Sequence, residues 1–321
     1  MNTIWACLLL AGGLVLLWKC AGLLVTGAVG LAKQLGVSPL IIGLTIVAMG
    51  TSAPEVAASI AAAARGAGNI TIGNVYGSNI ANLALVGGLA ALIRPISIKR
   101  QTLRQQMPVM LLVTLLLWPF VHNLYLSRLE GFLLLAVFAV LILLTVYLAR
   151  RESSNSSSDE RNTQYAIRNM KKSILFVIIG LAGLALGADM TVRGAVFIGQ
   201  RAGLSKAVIG LTIIAIGTSL PELATCVAAA VKGQHDISIG TILGSNVFNA
   251  LLALGVAGVI RPFDIVQRLA GVDYWVMVIV SFAFASAAVI GRCIIGRVAG
   301  ALLLCGYAGY MVYVLGCTAG I

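Results

Sequence analysis

The chain has 321 residues, of which 60% are hydrophobic and 10% charged, with a formal net charge of +12. Soluble globular domains carry about 25% charged residues, so this composition excludes a soluble enzyme, which would lack the polar surface to cover its core. The basic residues fall mostly between apolar runs, with no basic stripe interleaved with aromatics, so they orient membrane helices and imply no nucleic-acid partner.

A helix needs roughly 20 apolar residues to cross a bilayer. The first such run covers 4–31 and continues past Lys19 with no basic segment before it, so it reads as a membrane helix and not a cleaved signal peptide. Further apolar segments follow at 38–64, 70–93, 107–125 and 128–150. Residues 150–172 (RRESSNSSSDERNTQYAIRNMKK) are rich in Ser, Asn and charge and read as an aqueous linker. Five more apolar segments cover 173–199, 205–231, 237–260, 270–291 and 297–317. The expected fold is therefore all-α: a polytopic membrane protein of ten transmembrane helices. It divides into a first five-helix repeat at 1–149, the cytoplasmic linker at 150–172 and a second five-helix repeat at 173–321. The six cysteines lie in or beside apolar runs without CxxC spacing, which predicts structural buried thiols.

The two halves are copies. VSPLIIGLTIVAMGTSAPEVAASI at 37–60 aligns without a gap to LSKAVIGLTIIAIGTSLPELATCV at 204–227, with 13 of 24 positions identical. The same offset of 167 carries GNVYGSNIAN (73–82) onto GTILGSNVFN (240–249) and Arg94-Pro95 onto Arg261-Pro262. An odd number of helices per copy makes the second enter from the opposite side, so the repeats are inverted in topology. Transporters built this way bind their cargo near the bilayer midplane, on interrupted helices. With the N-terminus outside, the 22 Lys and Arg divide into 14 in cytoplasmic loops, 6 in outside loops, and Lys19 and Arg193 within helices. That excess predicts both termini outside and the linker inside.

Most acidic residues sit in loops or at helix ends; the exceptions are Glu55, Asp189 and Glu222. An ionisable group at membrane depth is costly and marks function. Glu55 and Glu222 occupy equivalent positions in the two copies. Thr51 and Ser52, like Thr218 and Ser219, stand four and three residues before them, on the same helical face. Pro54 and Pro221 lack an N–H, so each should break its helix and free main-chain oxygens. Ser78 with Asn82, and Ser245 with Asn249, repeat an i,i+4 pairing on neighbouring helices, and Gly73/Gly77 and Gly240/Gly244 allow close approach. The resulting cluster is all oxygen. Hard cations such as calcium and sodium take such ligands, whereas zinc or copper would want His or Cys. Asn79 and Asn246 point elsewhere and read as packing. Asp189 lies four residues before Arg193, which predicts an intrahelical ion pair. Lys19 has no evident partner.

These motifs, GTSAPE (50–55), GTSLPE (217–222), GSNIAN (77–82) and GSNVFN (244–249), resemble those of the calcium/cation antiporter superfamily, and most closely its prokaryotic sodium/calcium exchangers. The resemblance extends over all ten segments. It implies shared carboxylates at Glu55 and Glu222 and hydroxyl ligands at Thr51, Ser52, Thr218 and Ser219. It further implies helix ligands at Ser78, Asn82, Ser245 and Asn249, and main-chain carbonyls at Ala48 and Ala215. One departure stands out: relatives can carry an acid at one of the positions of Asn82 and Asn249, and here both are Asn. The linker is too short for the calcium-sensing domain of animal relatives. The expected activity is antiport of calcium against sodium in the inner (plasma) membrane, with no cofactor beyond the transported ions and the lipid bilayer as partner. A proton/calcium exchanger is the alternative, and a passive cation channel is the other class. No nucleophile–base pair suggests an enzyme.

Overall fold

Helix α1, Thr3–Leu35, begins where the Asn2 side chain accepts the Trp5 N–H at 2.8 Å. It ends where Gly36, at φ +66°, turns its N–H back onto Ala32 O. Pro39 opens α2 (Pro39–Thr51), and a 45° bend leads into α3 (Ala53–Ala64). Then follow α4 (Gly68–Ile93), α5 (Arg100–Val121) and α6 (Arg128–Ser154). Ser127 and Glu130 cap α6 reciprocally, each accepting the other's backbone N–H, at 2.7 and 3.2 Å. The second half comprises α7 (Thr163–Arg201), α8 (Ala215–Thr218), α9 (Leu220–Val231), α10 (His235–Ile260), α11 (Leu269–Ile290) and α12 (Arg297–Ala319). This computed structural model describes residues 2–154, 163–202 and 215–319, except for the side chains of 148–154, 163–169, 215 and 317–319.

Among the described residues, eight helices are long and apolar enough to cross a membrane, and the bent pair α2–α3 makes up to nine. The expected segment 205–231 is described only from Ala215; residues 205–214, like 155–162 of the linker, lie outside the described residues. Several boundaries differ from expectation. α5 begins at Arg100 instead of 107, and α6 and α7 carry helix through 151–154 and 163–172 of the expected linker. Arg, Gln, Glu and Lys are good helix formers, so polarity ends the apolar run without ending the helix. The cysteines also depart from expectation. Cys20 and Cys226 are buried, but Cys7 and Cys305 are exposed on the outer surface of the bundle. A small apolar thiol is tolerated there beside Trp5, Leu8 and Leu302, which are also exposed.

α4 and α10 form the centre: 72% and 78% of their most apolar windows are buried, against 11% and 17% for the peripheral α6 and α12. Two short antiparallel pairs tie the halves together. Ile96 faces Ile295 and Ser97 faces Ile294; Leu126 faces Phe263 and Tyr125 faces Asp264. Each pair takes one strand from each half, and the sequence equivalence exchanges one pair for the other. The Arg-Pro corners behave alike. Arg94 donates to Val231 O at 2.9 Å and lies by Gly233, while Arg261 lies by Gly66.

Glycines bring helices into backbone contact. α1 packs along α7, where a Cβ on Gly13 or Gly180 would fall within 3 Å of Gly187 O or the Leu24 backbone. On α10, a Cβ at Gly244 would stand 2.5 Å from Leu44 O. Gly244→Leu should therefore cost about 3 kcal/mol by overpacking, read as a melting temperature several degrees lower in detergent. An unchanged transition would show that α2 has room to retreat. The matching partners of Gly73 and Gly77 would be residues 207 and 211, outside the described residues.

Candidate functional site

The helix breaks sit two residues ahead of each proline. Ser52 (φ −83°, ψ 1°) and Ser219 (φ −86°, ψ 5°) leave helical geometry, and Pro54 and Pro221 fall in the first turn of α3 and α9. That position suits proline because its missing N–H would have no intrahelical partner there. Glu55 and Glu222 follow in the same first turns. Carboxylates there meet the positive end of the helix.

Neither serine caps its own helix. The hydroxyls cross between halves instead. Ser52 Oγ donates to Glu222 Oε1 at 2.8 Å, and Ser219 Oγ donates to Glu55 Oε1 at 3.5 Å. Ser245 Oγ on α10 reaches the same Glu222 oxygen at 3.4 Å. Both carboxylates are 1% exposed. Their second oxygens, Glu55 Oε2 and Glu222 Oε2, are buried and accept no hydrogen bond from the described residues.

Thr51 and Ser78 are buried as well; Thr218 is half-buried. Thr51 Oγ1 donates to Ala48 O at 3.3 Å, and that carbonyl also accepts the Ser52 N–H at 2.9 Å. Ala48 O thus already serves two donors, and a cation would reach it only after the Thr51 hydroxyl turned away. In the second copy the Ser219 N–H goes to Ile216 O at 3.1 Å. Ala215 opens the short α8, and its side chain is outside the described residues.

Asn82 and Asn249 are buried with both polar side-chain atoms unpartnered among the described residues. Each stands in a π-helical stretch, Ala81–Val86 and Phe248–Ala253, at equivalent places in α4 and α10. Such bulges occur often at functional sites because they re-aim side chains out of the α-helical register. No spacing argument announced them. Asn79 and Asn246 bond main chain, with Asn246 O at 3.3 Å and Ile242 O at 2.8 Å, in keeping with packing. Asp189 pairs with Arg193 at 2.8 Å. Lys19 is exposed on α1.

The halves are not identical. Asn74 Nδ2 donates to Glu55 O at 3.1 Å and Ser59 Oγ at 3.0 Å, but the equivalent position holds Thr241, whose hydroxyl bonds Ile237 O. A cavity of about 520 Å³ also lies on one side, lined by Asn74, Gly77, Ser78, Thr218, Asp273 and Tyr310 among others. Asp273 stands at a helix end, where the sequence places it, but its burial is a finding of the structure. It lies inside α11, in the π-helical Leu269–Asp273, and is 3% exposed. The helix starts at Leu269 and gains one wide turn, which draws this carboxylate inward. The sequence carried no signal for this burial, since Asp273 is the fourth residue of the apolar segment 270–291.

The family model for sodium/calcium exchanger proteins matches residues 5–147 and 172–316. CaxA of Alkalimonas amylolytica is 41% identical over 305 residues, covering 93% of this chain and 95% of its own. The sodium/calcium exchanger MaX1 of Methanosarcina acetivorans is 34% identical over 301 residues, covering 81% and 84%. The solved structure of the sodium-calcium exchanger NCX_Mj superposes with a TM-score of 0.84 at 32% identity, over 97% of this chain and 99% of that one. On these matches, with its apolar spans, the chain is a multi-pass membrane protein that belongs to the sodium/calcium exchanger family.

Proposed function

We propose that this protein exchanges calcium for sodium across the inner (plasma) membrane, by alternating access at a midplane site shared by Glu55 and Glu222. The crossed hydrogen bonds carry this reading: each half lends its serine to the other half's glutamate, so the two carboxylates form one oxygen cluster. Thr51, Ser52, Thr218, Ser219, Ser78, Asn82, Ser245, Asn249 and the carbonyls of Ala48 and Ala215 complete the ligand set. Glu55 Oε2, Glu222 Oε2, Asn82 Oδ1 and Asn249 Oδ1 are among the buried oxygens without a partner in the described residues, and such acceptors suit a hard cation. The glycine contact of α1 with α7 makes that pair the candidate moving body.

The architecture belonging to this reading is ten spans in two inverted five-helix repeats, 1–149 and 173–321, joined by the cytoplasmic linker 150–172. The exchanged strand pairs and Arg-Pro corners support it, because an inverted two-fold would produce that reciprocity.

Calcium uptake into proteoliposomes, with and without an outward sodium gradient, tests the reaction. Gradient-dependent uptake is the expected result. Uptake without any gradient would indicate a channel, and uptake driven only by a pH gradient would make the proton the counter-ion. For orientation, Ser156→Cys in a cysteine-free background should resist an impermeant thiol reagent in intact cells and react once membranes are opened. Labelling in intact cells would reverse the topology.

A further inference from the structure

Asp273 is a buried carboxylate outside the Glu55–Glu222 cluster, and the exchange reaction as described does not use it. Its two oxygens have different partners. Arg268 Nε lies 3.2 Å from Oδ2, and the Tyr310 hydroxyl donates to Oδ1 at 3.1 Å. Arg268 is 36% exposed and lies over the Tyr313 ring, 5.5 Å from its centroid. Asp273, Arg268 and Tyr310 all line the 520 Å³ cavity. The same cavity touches Ser78 and Thr218 at its inner end and Asn69 and Val266 at its outer end, where Asn69 Oδ1 accepts the Val266 N–H at 3.0 Å. The cavity therefore runs from the loop around 261–268 to the shared cluster.

The arrangement is one-sided. Beyond the strands the equivalence between halves shifts by two residues, so that Arg128 and Arg297 both open helices. In that register Arg104 and Leu141 stand where Asp273 and Tyr310 do. The other face thus carries a positive charge and a leucine at those places.

We propose that Asp273 is a staging site for the transported divalent cation on the path from the 261–268 face, and that Arg268 is a tethered counter-ion which the arriving cation displaces. A buried carboxylate needs a compensating charge, and Arg268 provides one while the site holds no cation. A divalent ion offers twice that charge and prefers carboxylate and hydroxyl oxygens, which Asp273 and Tyr310 present together. The guanidinium, already over the Tyr313 ring, turns away from Asp273 toward water on its long stem while the cation–π contact is kept. The displaced Arg268 then returns as the ion moves inward, which neutralises the carboxylate behind it.

The test rests on the exchange reading. Half-saturating calcium for sodium-driven exchange is measured from each face separately, in vesicles of defined orientation. Asp273→Asn should raise it three- to tenfold on the 261–268 face alone. Arg268→Gln should lower it by a similar factor on that face, and in the double variant the Arg268→Gln effect should vanish, because it acts through Asp273. Equal shifts on both faces, or additive effects, would overturn the staging site and leave Asp273 a packing residue between α11 and α12. If Asp273→Asn does not fold, Tyr310→Phe replaces it, with a rise expected on the same face; no one-sided change in either remaining variant would also overturn the proposal. Wild-type protein without sodium-driven uptake would end the exchange reading itself, whereas normal wild-type exchange with unaltered variants ends only this inference.

Discussion

Glu55→Gln and Glu222→Gln should each abolish sodium-driven calcium uptake while leaving the protein folded in detergent. Both side chains are buried, and each has one oxygen engaged by serine from the opposite half and one with no partner among the described residues. Two carboxylates in so dry a setting are expensive to leave uncompensated during an occluded state. One calcium ion offsets both charges, and so do two or more sodium ions. On the proposed mechanism the loaded forms cross and the empty form does not, so the protein would exchange instead of leaking. Glutamine keeps the shape and removes half of the charge. Losing one member of a buried charge pairing costs about 3–5 kcal/mol, a rate loss of roughly a hundredfold or more. The loss should be alike for both positions, since the crossed serines give the two carboxylates matching roles. External sodium should compete with calcium for the same oxygens. Near wild-type exchange in either variant, at comparable protein levels, would sink the paired-carboxylate mechanism.

Asn249→Asp should change the coupling. Asn249 is fully buried in α10, in the π-helical turn after Ser245, and neither its amide nitrogen nor its oxygen has a partner among the described residues. A carboxylate there adds a third negative charge to the cluster. That charge is relieved by binding a further cation or a proton. The half-saturating sodium concentration should move by about tenfold, or the pH at half-maximal rate by about one unit, the equivalent of roughly 1.4 kcal/mol. Identical sodium and pH dependence in the variant would place Asn249 off the ion path. The same change at Asn82 probes the other half of the site through the corresponding π-helical turn in α4.

Much of this was legible from residues alone. Length and hydropathy identify the spans, because a bilayer demands a fixed length of apolar helix. Duplication at one offset singles out Glu55 and Glu222, because an acid kept twice at membrane depth has a use. Thr51, Ser52 and the prolines follow from helical spacing and from the missing N–H. These are local or periodic properties, carried by the order of residues in the chain. Helix ends were less legible: α5 starts at Arg100 because polar residues continue a helix as readily as apolar ones.

Other features needed the folded chain. That Ser52 binds Glu222, and Ser219 binds Glu55, joins residues 170 and 164 positions apart. No spacing within one helix contains that exchange. The π-helical turns at Asn82 and Asn249 depend on packing inside the bundle, since nothing in their composition disfavours an ordinary α-helix. The departure from symmetry is tertiary too. Asp273 stands at a helix start in the sequence; Arg268, five residues before it, meets it through the π-helical turn, and Tyr310 meets it only because α11 and α12 pack together beside the cavity. The sequence by itself determined the apolar segments, the duplication and the two equivalent glutamates, because bilayer thickness and helical periodicity act along the chain. Only the tertiary structure decided which oxygens meet and on which side the cavity lies, because distances between helices are settled by packing across the bundle.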